Sequence, residues 1–335
     1  FIISDHTLAE PGGGFTAGSV FVSGFLEKMT SLASNEQTPR YRTSGFLFAG
    51  SAILLFSLKP IFIKLAYEYP IDSVTLMTLR MGFSLPLYIL IGIYLLVKKR
   101  IDPVLALGTL PKTIMTGMLG YYGASYFDLT GLHYISAQLE RLILFSYPSL
   151  VVILGYFFFK TPIQGGTIPA LLLTYTGILA LFVHDISLSG QAHAFGGVLV
   201  FIGAVLFSLY ILFSKSVIDK IGSMAFTCIA MTAASIAILL HFSISRELSD
   251  LHQPMPVYLA AFAIAMLSTV LPSFLISEAI NRIGTNATSI IGSSGALVTS
   301  VLAVGILGED FTPYHVIALV LVTSGIVWLG RAGRR

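Results

Sequence analysis

Charged residues and cysteine are both scarce in this chain. Only 10% of its 335 residues are Asp, Glu, Lys or Arg, whereas soluble domains average about 25%. Apolar residues make up 55% of the chain, and the mean hydropathy is +0.87. This composition excludes a soluble enzyme, and the net charge of +3 is too small for a nucleic-acid-binding protein. The single cysteine, Cys228, excludes an intramolecular disulfide and a cysteine-ligated metal centre.

Signatures of catalysis are also missing from the sequence. It contains no Gly-x-Ser-x-Gly elbow, no His-Glu-x-x-His helix and no phosphate-binding Walker loop. We therefore expect no catalytic residues, no cofactor, no metal site and no nucleic-acid partner. The missing nucleotide site also argues against transport driven by ATP hydrolysis within this chain. A polytopic membrane protein remains.

Ten stretches are apolar enough to form membrane helices, each of which needs about 20 residues to cross a bilayer. Internal prolines such as Pro60 and Pro148 are tolerated in membrane helices. The sequence therefore predicts an all-helical, polytopic membrane protein with ten spans. The predicted spans are roughly 46–67, 72–97, 112–132, 135–159, 165–184, 195–217, 222–243, 255–279, 286–307 and 313–330.

Lysine and arginine predict the orientation, because cytoplasmic loops are enriched in both. With the N-terminus inside, fourteen of the nineteen basic residues fall in cytoplasmic segments and four within spans. Only Arg246 falls in an outer loop. We expect an inner (plasma) membrane protein with both termini in the cytoplasm.

The first 44 residues differ from the rest of the chain. They are polar, with Gly12-Gly13-Gly14 at their centre and no basic stretch at the start. This pattern predicts a disordered cytoplasmic segment rather than a signal peptide. Residues 1–28 are either a native tail or an artefact of the assigned start, since Met29 opens a more ordinary lead-in.

The rest of the chain repeats itself weakly at an offset of 151 residues. Phe56-Ser57-Leu58 recurs as Phe207-Ser208-Leu209, and Thr161-Pro162 recurs as Thr312-Pro313. We interpret residues 45–190 and 191–335 as two five-span repeats, the alternative being chance similarity between apolar helices. Because five is odd, the two repeats would insert in opposite directions, as in many secondary transporters.

Local features accompany this plan: Phe56–Lys64 closes span one, Arg80 lies early in span two, Tyr134-Ile135-Ser136-Ala137 leads into span four, and Pro148 lies within it. Together with the architecture, they resemble the EamA-type transporters of the drug/metabolite transporter (DMT) superfamily. The resemblance covers about 45–330 and implies alternating-access movement of small metabolites, often outward. The chain departs from the family at Lys160-Thr161, where members often carry an acidic–basic pair.

Five of the ionisable residues inside the predicted spans are candidates for a functional role, and together they carry a net charge of +1: Lys59, Arg80, Asp128, Glu140 and Arg141. A charge at the bilayer centre costs about 2.5–3.5 kcal/mol on insertion scales, so such residues face a cavity or a partner. We interpret Lys59, Arg80 and Arg141 as substrate-binding candidates. Asp128 and Glu140 are candidates for proton coupling.

Each of these charges also has a purely structural interpretation. Lys59 would pair with Asp128 or Glu140 instead of a solute carboxylate or phosphate. Arg80 would pair with Glu140, and Arg141 with Asp128. Similarly, Lys64 and Glu68 are spaced for a surface pair at a span end.

Tyrosines and glycines supply the other candidates. Tyr121 and Tyr126 are expected to line the pathway, although membrane aromatics often only pack. Asp128 is expected to share a helix face with Gly117, Tyr121 and Ser125. The segment from Gly292 to Gly295 indicates close helix packing or a cavity wall.

These observations favour a secondary transporter that exports small anionic or zwitterionic solutes, such as amino acids. Cationic drug-like solutes remain an alternative, and a channel, a lipid-processing enzyme and a scaffold are rival interpretations. The expected partners are a small solute and the lipid bilayer, and the chain is expected to be a monomer or a homodimer.

Overall fold

The computed structural model describes residues 39–160, 167–189, 191–292 and 294–332. All regular structure in these ranges is helical, in agreement with the predicted all-helical class. From Gly45 onward, the described residues belong to one compact unit. The segment 1–38 and the dipeptide Thr161-Pro162 lie outside the described residues, so the predictions made for them are untested.

The helices follow one another with short connections. Their bounds are α1 Pro39–Ser57, α2 Lys59–Ala66, α3 Ser73–Val97, α4 Pro103–Gly117, α5 Ala124–Leu132, α6 Ala137–Leu144, α7 Tyr147–Phe159, α8 Thr167–Ser189, α9 Gln191–Ile221, α10 Ser223–Ser245, α11 Met255–Ala265, α12 Leu271–Gly292, α13 Gly295–Leu302 and α14 Pro313–Ala332. The π-helical segments Met118–Gly123, Met266–Val270 and Ala303–Leu307 and a 3₁₀ turn at Leu248–Leu251 complete the described elements.

Seven helical stretches in the described part of the chain are long and apolar enough to cross a membrane: Thr43–Ala66, Ser73–Val97, Ala137–Phe159, Thr167–Asp185, Gln191–Ile221, Ser223–Ser245 and Met255–Thr285. Two shorter apolar helical stretches, Gly295–Leu307 and Pro313–Trp328, follow them. These stretches are those of a polytopic membrane protein, and the count of ten spans stays a prediction.

One predicted boundary was wrong. The third span was expected to begin near residue 112, but α4 begins at Pro103. Asp102 caps this helix, because its carboxylate accepts hydrogen bonds from the backbone N–H groups of Val104 at 2.9 Å and Leu105 at 3.4 Å. Proline at the first helical position and aspartate before it form a helix-start signal that a search for apolar stretches passes over.

Three helix pairs bring the two halves of the chain together: α5 with α9, α3 with α10, and α8 with α14. Glycine allows the α5–α9 contact, since a Cβ atom added to Gly131 would lie 2.7 Å from the Gly196 carbonyl oxygen. The glycines of the 292–295 segment pack in the same way. A Cβ atom added to Gly295 would lie 2.6 Å from the Phe145 ring and 2.8 Å from Ile53, so the packing interpretation is confirmed for this residue.

The first helical passage is broken at Leu58, between α1 and α2. Pro60 has no N–H, so the Phe56 carbonyl four residues earlier loses its helical partner. The Arg141 guanidinium supplies the missing donor, with its Nη2 atom 2.5 Å from that oxygen. The carbonyls on either side, of Leu55 and Ser57, accept from the hydroxyls of Ser268 and Thr299, each at 3.1 Å.

Breaks in two other passages leave two more short helices. The chain turns at Phe145-Ser146 between α6 and α7, just before Pro148, and again before α13. The three short helices α2, α6 and α13 pack against one another. Lys59 opens α2, and α6 carries Glu140 and Arg141, so the breaks place these three ionisable residues on short, separate helices.

Candidate functional site

A cavity lies where these breaks meet the middle of the other helices. About 70 Å³ of it is available to the centres of water-sized molecules. Its wall is largely aromatic and apolar, with a few polar groups. The ionisable residues that line it are Lys59, Arg80, Asp128 and Arg141.

Lys59 and Asp128 form a buried ion pair. The Lys59 Nζ atom lies 2.6 Å from Asp128 Oδ2, and the two side chains are 10% and 3% exposed. This is one of the two structural partners that the sequence offered for Lys59. Because both residues also line the cavity, the pair is part of its wall. The predicted pair between Asp128 and Arg141 is not among the ion pairs of the described residues.

Arg80 is the cavity cation without such a partner. The residue is 2% exposed, and neither its Nε nor its Nη2 atom has a hydrogen-bond partner among the described residues. The predicted pair with Glu140 is absent from that part of the chain. A buried donor without an acceptor is costly, and a buried charge without a counter-ion more so. Arg80 is therefore the group in this cavity that most needs a ligand.

Arg141 is held more firmly than Arg80. Besides its bond to the Phe56 carbonyl, its Nε atom lies 3.5 Å from Glu140 Oε2, and its guanidinium carbon lies 5.7 Å from the centre of the Phe145 ring. These contacts fix the guanidinium at the break in the first helical passage. Arg141 thus supports the backbone of the site while contributing charge to the cavity wall.

Glu140 lies behind the cavity wall rather than in it. Its residue is 1% exposed, and its carboxyl lies near enough to that of Asp128 for the two negative charges to repel each other. The two proton-coupling candidates are therefore brought together next to Lys59.

The structure places the two tyrosine candidates in different surroundings. Tyr121 lines the cavity, and its hydroxyl lies 2.7 Å from the hydroxyl of Tyr210. Tyr126 is not among the lining residues; its ring centre lies 5.4 Å from that of His241. Tyr126 thus lies outside this cavity, and its place in the transport pathway stays a prediction. Residues five apart on a helix point about 140° apart, so both tyrosines cannot face one cavity.

The predicted face of the third span is correct for three of its four members. Tyr121, Ser125 and Asp128 line the cavity together. Gly117 does not, because it packs against Ala230: an added Cβ atom would lie 2.5 Å from that residue's carbonyl oxygen. The π-helical segment that begins at residue 118 widens the turn and shifts the register between Gly117 and the others.

Sequence reasoning missed the residues that the later helices contribute. Ser268 and Thr269 line the cavity from the π-helical segment Met266–Val270, and Phe207 lines it from α9. The Thr269 hydroxyl is buried without a partner among the described residues. A polar Ser-Thr pair inside an otherwise apolar span was the available signal.

A predicted surface pair and its equivalent at the offset of 151 differ in the structure. The Lys64–Glu68 surface pair is not among the ion pairs of the described residues, whereas the equivalent Lys215–Asp219 pair forms at 2.6 Å. Within the described residues, no three His, Cys, Asp or Glu side chains are arranged to hold a metal ion.

Comparison with known families agrees with this architecture. The model of the EamA-like transporter family matches the chain twice, at residues 43–183 and 194–331. The chain belongs to the EamA-like transporter family. This confirms the resemblance to the drug/metabolite transporter superfamily, and it identifies the protein as a multi-pass membrane transporter. We call residues 43–183 and 194–331 the first and second repeats.

Named relatives of this EamA-like transporter are themselves described only as transporters. The uncharacterized transporter YcbK of Bacillus subtilis (strain 168) is 26% identical over 288 residues, 83% of this chain and 89% of the relative. The uncharacterized transporter YyaM of the same organism is 23% identical over 222 residues, 64% of this chain and 71% of the relative. A solved crystal structure has a TM-score of 0.61 and 16% identity, covering 88% of this chain and 98% of its own; it shows a shared fold.

Proposed function

We propose that this EamA-like transporter is a secondary transporter that exports small carboxylate-bearing metabolites by alternating access. Its ten spans would form two five-span repeats inserted in opposite directions, with the cavity between them. The excess of lysine and arginine in alternate loops supports an inner-membrane orientation with both termini in the cytoplasm. In this proposal the chain itself carries out no catalytic step.

The unpartnered Arg80 guanidinium carries the proposal. Asp128 neutralises the Lys59 ammonium at 2.6 Å, and the Phe56 carbonyl and Glu140 engage Arg141. Arg80 is thus the cavity cation whose Nε and Nη2 donors are open among the described residues. A guanidinium presents two parallel N–H groups at the spacing of the two oxygens of a carboxylate. The net charge of +1 over the five buried ionisable groups also favours an anionic group on the solute.

An amino group on the solute also has a place to bind. The Asp128 Oδ1 atom is buried and has no hydrogen-bond partner among the described residues. It can accept from a solute ammonium while Oδ2 stays with Lys59. Zwitterions such as small α-amino acids therefore suit the charged groups of this cavity.

Cationic drug-like solutes are the second candidate. Tyr121, Phe207 and other rings in the wall would stabilise a cation over their faces. The neighbouring Arg80 and Arg141 oppose this, since a cation would enter beside two like charges. The candidates differ in their response to Arg80→Gln: carboxylate transport should fall, and transport of a cation should rise or stay unchanged.

Asp128 and Glu140 are the proposed proton carriers. A proton taken up by Asp128 would release Lys59, and the neighbouring Glu140 carboxyl would share or pass on that proton. Under this proposal, Glu140→Gln should leave solute-for-solute exchange intact and abolish the response to an imposed pH gradient. If the pH response is unchanged, Glu140 has no part in coupling.

A comparative profile of secreted metabolites tests the function. Cells expressing the intact chain are compared with cells expressing Arg80→Gln and Lys215→Gln at matched levels in the membrane. Lys215→Gln is the control, because its pair with Asp219 is exposed and away from the cavity. We expect small carboxylates to accumulate in the medium with the intact chain and the control, and not with Arg80→Gln. Equal export by all three would contradict the assignment of Arg80 to the solute site. Export by none of them would contradict the proposed export of carboxylates.

A further inference from the structure

Glu309 joins the second repeat to the first at the end of the bundle predicted to face outward. It follows the π-helical segment Ala303–Leu307. Its carboxylate accepts from the backbone N–H of Ala137 at 2.7 Å and from that of Gln138 at 3.2 Å. The side-chain amide of Gln138 in turn donates to the Asp310 carbonyl at 3.0 Å. Three hydrogen bonds thus join Glu309 and Asp310 of the second repeat to Ala137 and Gln138 of the first.

The position of the carboxylate follows from the needs of α6. The first N–H groups of a helix have no partner within it, and the helix dipole favours an anion there. Ser136 supplies a local cap, because its hydroxyl accepts from the Leu139 N–H at 3.1 Å. The N–H groups of Ala137 and Gln138 depend instead on Glu309, a residue of the other repeat. Moving the repeats apart at this end would leave those two N–H groups without their partner.

An apolar layer lies beside these hydrogen bonds. Ile61, Ala137 and Ala303 are each at most 1% exposed and pack together, one from each of the segments α2, α6 and Ala303–Leu307. Leu65, Leu302 and Leu307 pack against them. At 1.5 Å per residue, Leu65 lies about 9 Å beyond Lys59 along α2, and Ala137 lies about 6 Å beyond Arg141 along α6. The layer therefore lies between the cavity and this end of the bundle.

The same short helix reaches both the hydrogen bonds and the cavity. Its N-terminus binds Glu309, and one turn later it carries Glu140 and Arg141. Because α6 has only eight residues and a break follows it, it can move as a unit. A shift of α6 away from Glu309 would therefore displace Arg141 from the Phe56 carbonyl at the same time.

We propose that Glu309 is the latch of a gate that closes the cavity at this end, and that the Ile61–Ala137–Ala303 layer is the seal. This inference rests on the alternating-access function proposed above, in which the cavity must open to each side in turn. Release of the Ala137 and Gln138 N–H groups would free α6, part the seal and open the cavity to this side.

Cysteine accessibility tests the latch without any knowledge of the solute. The chain has one cysteine, so Cys228→Ala gives a cysteine-free background. Ser125→Cys then places one thiol in the cavity wall. Its labelling by a charged, membrane-impermeant methanethiosulfonate reagent is timed in vesicles of both orientations. The compared variants carry, in addition, Glu309→Ala, Glu309→Gln or Asp310→Asn.

We expect Glu309→Ala to speed labelling from the latch side at least tenfold and to leave the rate of labelling from the opposite side unchanged. Glu309→Gln should have a smaller effect in the same direction, because an amide keeps one acceptor in the same shape. Asp310→Asn is the matched control: it removes the adjacent charge but keeps the carbonyl that Gln138 uses, so labelling should match the parent.

The latch is overturned if both Glu309 variants label at the parent rate, or if Asp310→Asn speeds labelling as much as they do. If Glu309→Ala does not yield a monodisperse protein, the isosteric Glu309→Gln decides between these results. Failure of the latch and failure of the transport function remain distinguishable. Carboxylate export with unchanged labelling contradicts only the latch, and faster labelling without export contradicts only the function.

Discussion

The two repeats contribute very different chemistry to one cavity. From the first repeat come all four ionisable lining residues, Lys59, Arg80, Asp128 and Arg141, with Glu140 behind them. The second repeat provides two hydroxyls, one aromatic ring and one aliphatic side chain, and its lining residues are Phe207, Ser268, Thr269 and Ile276. At the offset of 151, the counterpart of Lys59 is Tyr210, whose hydroxyl bonds Tyr121 instead of a charge.

This difference shows how a duplicated scaffold divides its work. A solute with a carboxylate at one end has no two-fold symmetry, so the two halves of its site need not match. The first repeat holds the charges, and the second supplies the packing surface and the proposed latch. Substitutions in the first repeat should therefore impair solute binding and coupling. Substitutions in the second repeat should impair packing and gating.

The largest effect is expected from breaking the Lys59–Asp128 pair. Lys59→Met leaves the Asp128 carboxylate buried without its counter-ion, and breaking a buried pair costs about 3–5 kcal/mol. The double variant Lys59→Met/Asp128→Asn removes both charges and should recover most of that loss. Thermal unfolding in detergent measures both, with Lys215→Gln as the exposed-pair control. If the double variant loses as much stability as Lys59→Met alone, the two charges do not stabilise each other.

Next comes the effect of Arg80 on transport. Hydrogen bonds to charged groups contribute about 1.5–3 kcal/mol, so Arg80→Gln should lower the specificity constant for a carboxylate solute about 10- to 100-fold. Arg80→Lys keeps the positive charge but lacks the two parallel N–H groups of a guanidinium. Its specificity constant should therefore lie between those of the parent and Arg80→Gln. Because Arg80 forms no ion pair among the described residues and two of its nitrogens have no hydrogen-bond partner there, its loss should not lower the unfolding temperature. A drop in stability with unchanged transport would assign Arg80 to the scaffold.

Packing by the second repeat is tested at Gly295. An added methyl would lie 2.6 Å from the Phe145 ring, so Gly295→Ala forces the broken helices apart. Overpacking of this kind costs about 1–3 kcal/mol. Gly50→Ala is the matched control, because nothing lies within 4 Å of its added Cβ atom. Unfolding temperatures of the two variants measure the difference, and equal values would show that the approach at Gly295 is not tight.

The smallest effect concerns a surface pair that joins the repeats, Arg246 and Asp72, 3.1 Å apart. Burial would raise the pKa of the Asp72 carboxyl, but hydrogen bonds from Thr75 and the Arg246 guanidinium outweigh it and hold the pKa below its ordinary value. The stabilisation is therefore complete above pH about 4, near the unfolded-state pKa, and is lost as the pH falls through the folded-state value.

Arg246→Ala should accordingly lower stability at neutral pH by less than about 1 kcal/mol, as for other exposed pairs. Between pH 5 and pH 3, its unfolding temperature should fall less than that of the parent. Melting curves over this range measure both. If the unfolding temperature falls more steeply in the variant than in the parent, the result contradicts the assignment of this pH dependence to the Asp72–Arg246 pair.

The sequence predicted the helical class and the family because both depend on features that repeat along the chain. Apolar stretches, basic loops and the offset of 151 are each spread over many residues, so small errors at helix ends do not obscure them. The start of α4 was missed because a capping pair, rather than an apolar stretch, sets it.

Partners of the buried charges were harder to predict. The sequence placed Lys59, Asp128, Glu140 and Arg141 inside the membrane but left several pairings open, because the choice depends on helix rotation and on breaks in the helices. Arg141 reaches the Phe56 carbonyl across 85 positions of the chain, and no local pattern indicates such a contact. The π-helical turn at Met118–Gly123 likewise shifts a face that regular spacing would have kept.

The most direct test of the account is exchange of matched solutes in proteoliposomes of the purified protein. Small α-amino acids and short monocarboxylates are each compared with their own amides, which keep the size but lose the carboxylate. We predict saturable exchange of the acids and not of the amides by the intact chain, and loss of that preference in Arg80→Gln. Equal exchange of acids and amides, or an unchanged preference in Arg80→Gln, would contradict the claim that Arg80 holds the carboxylate of the solute.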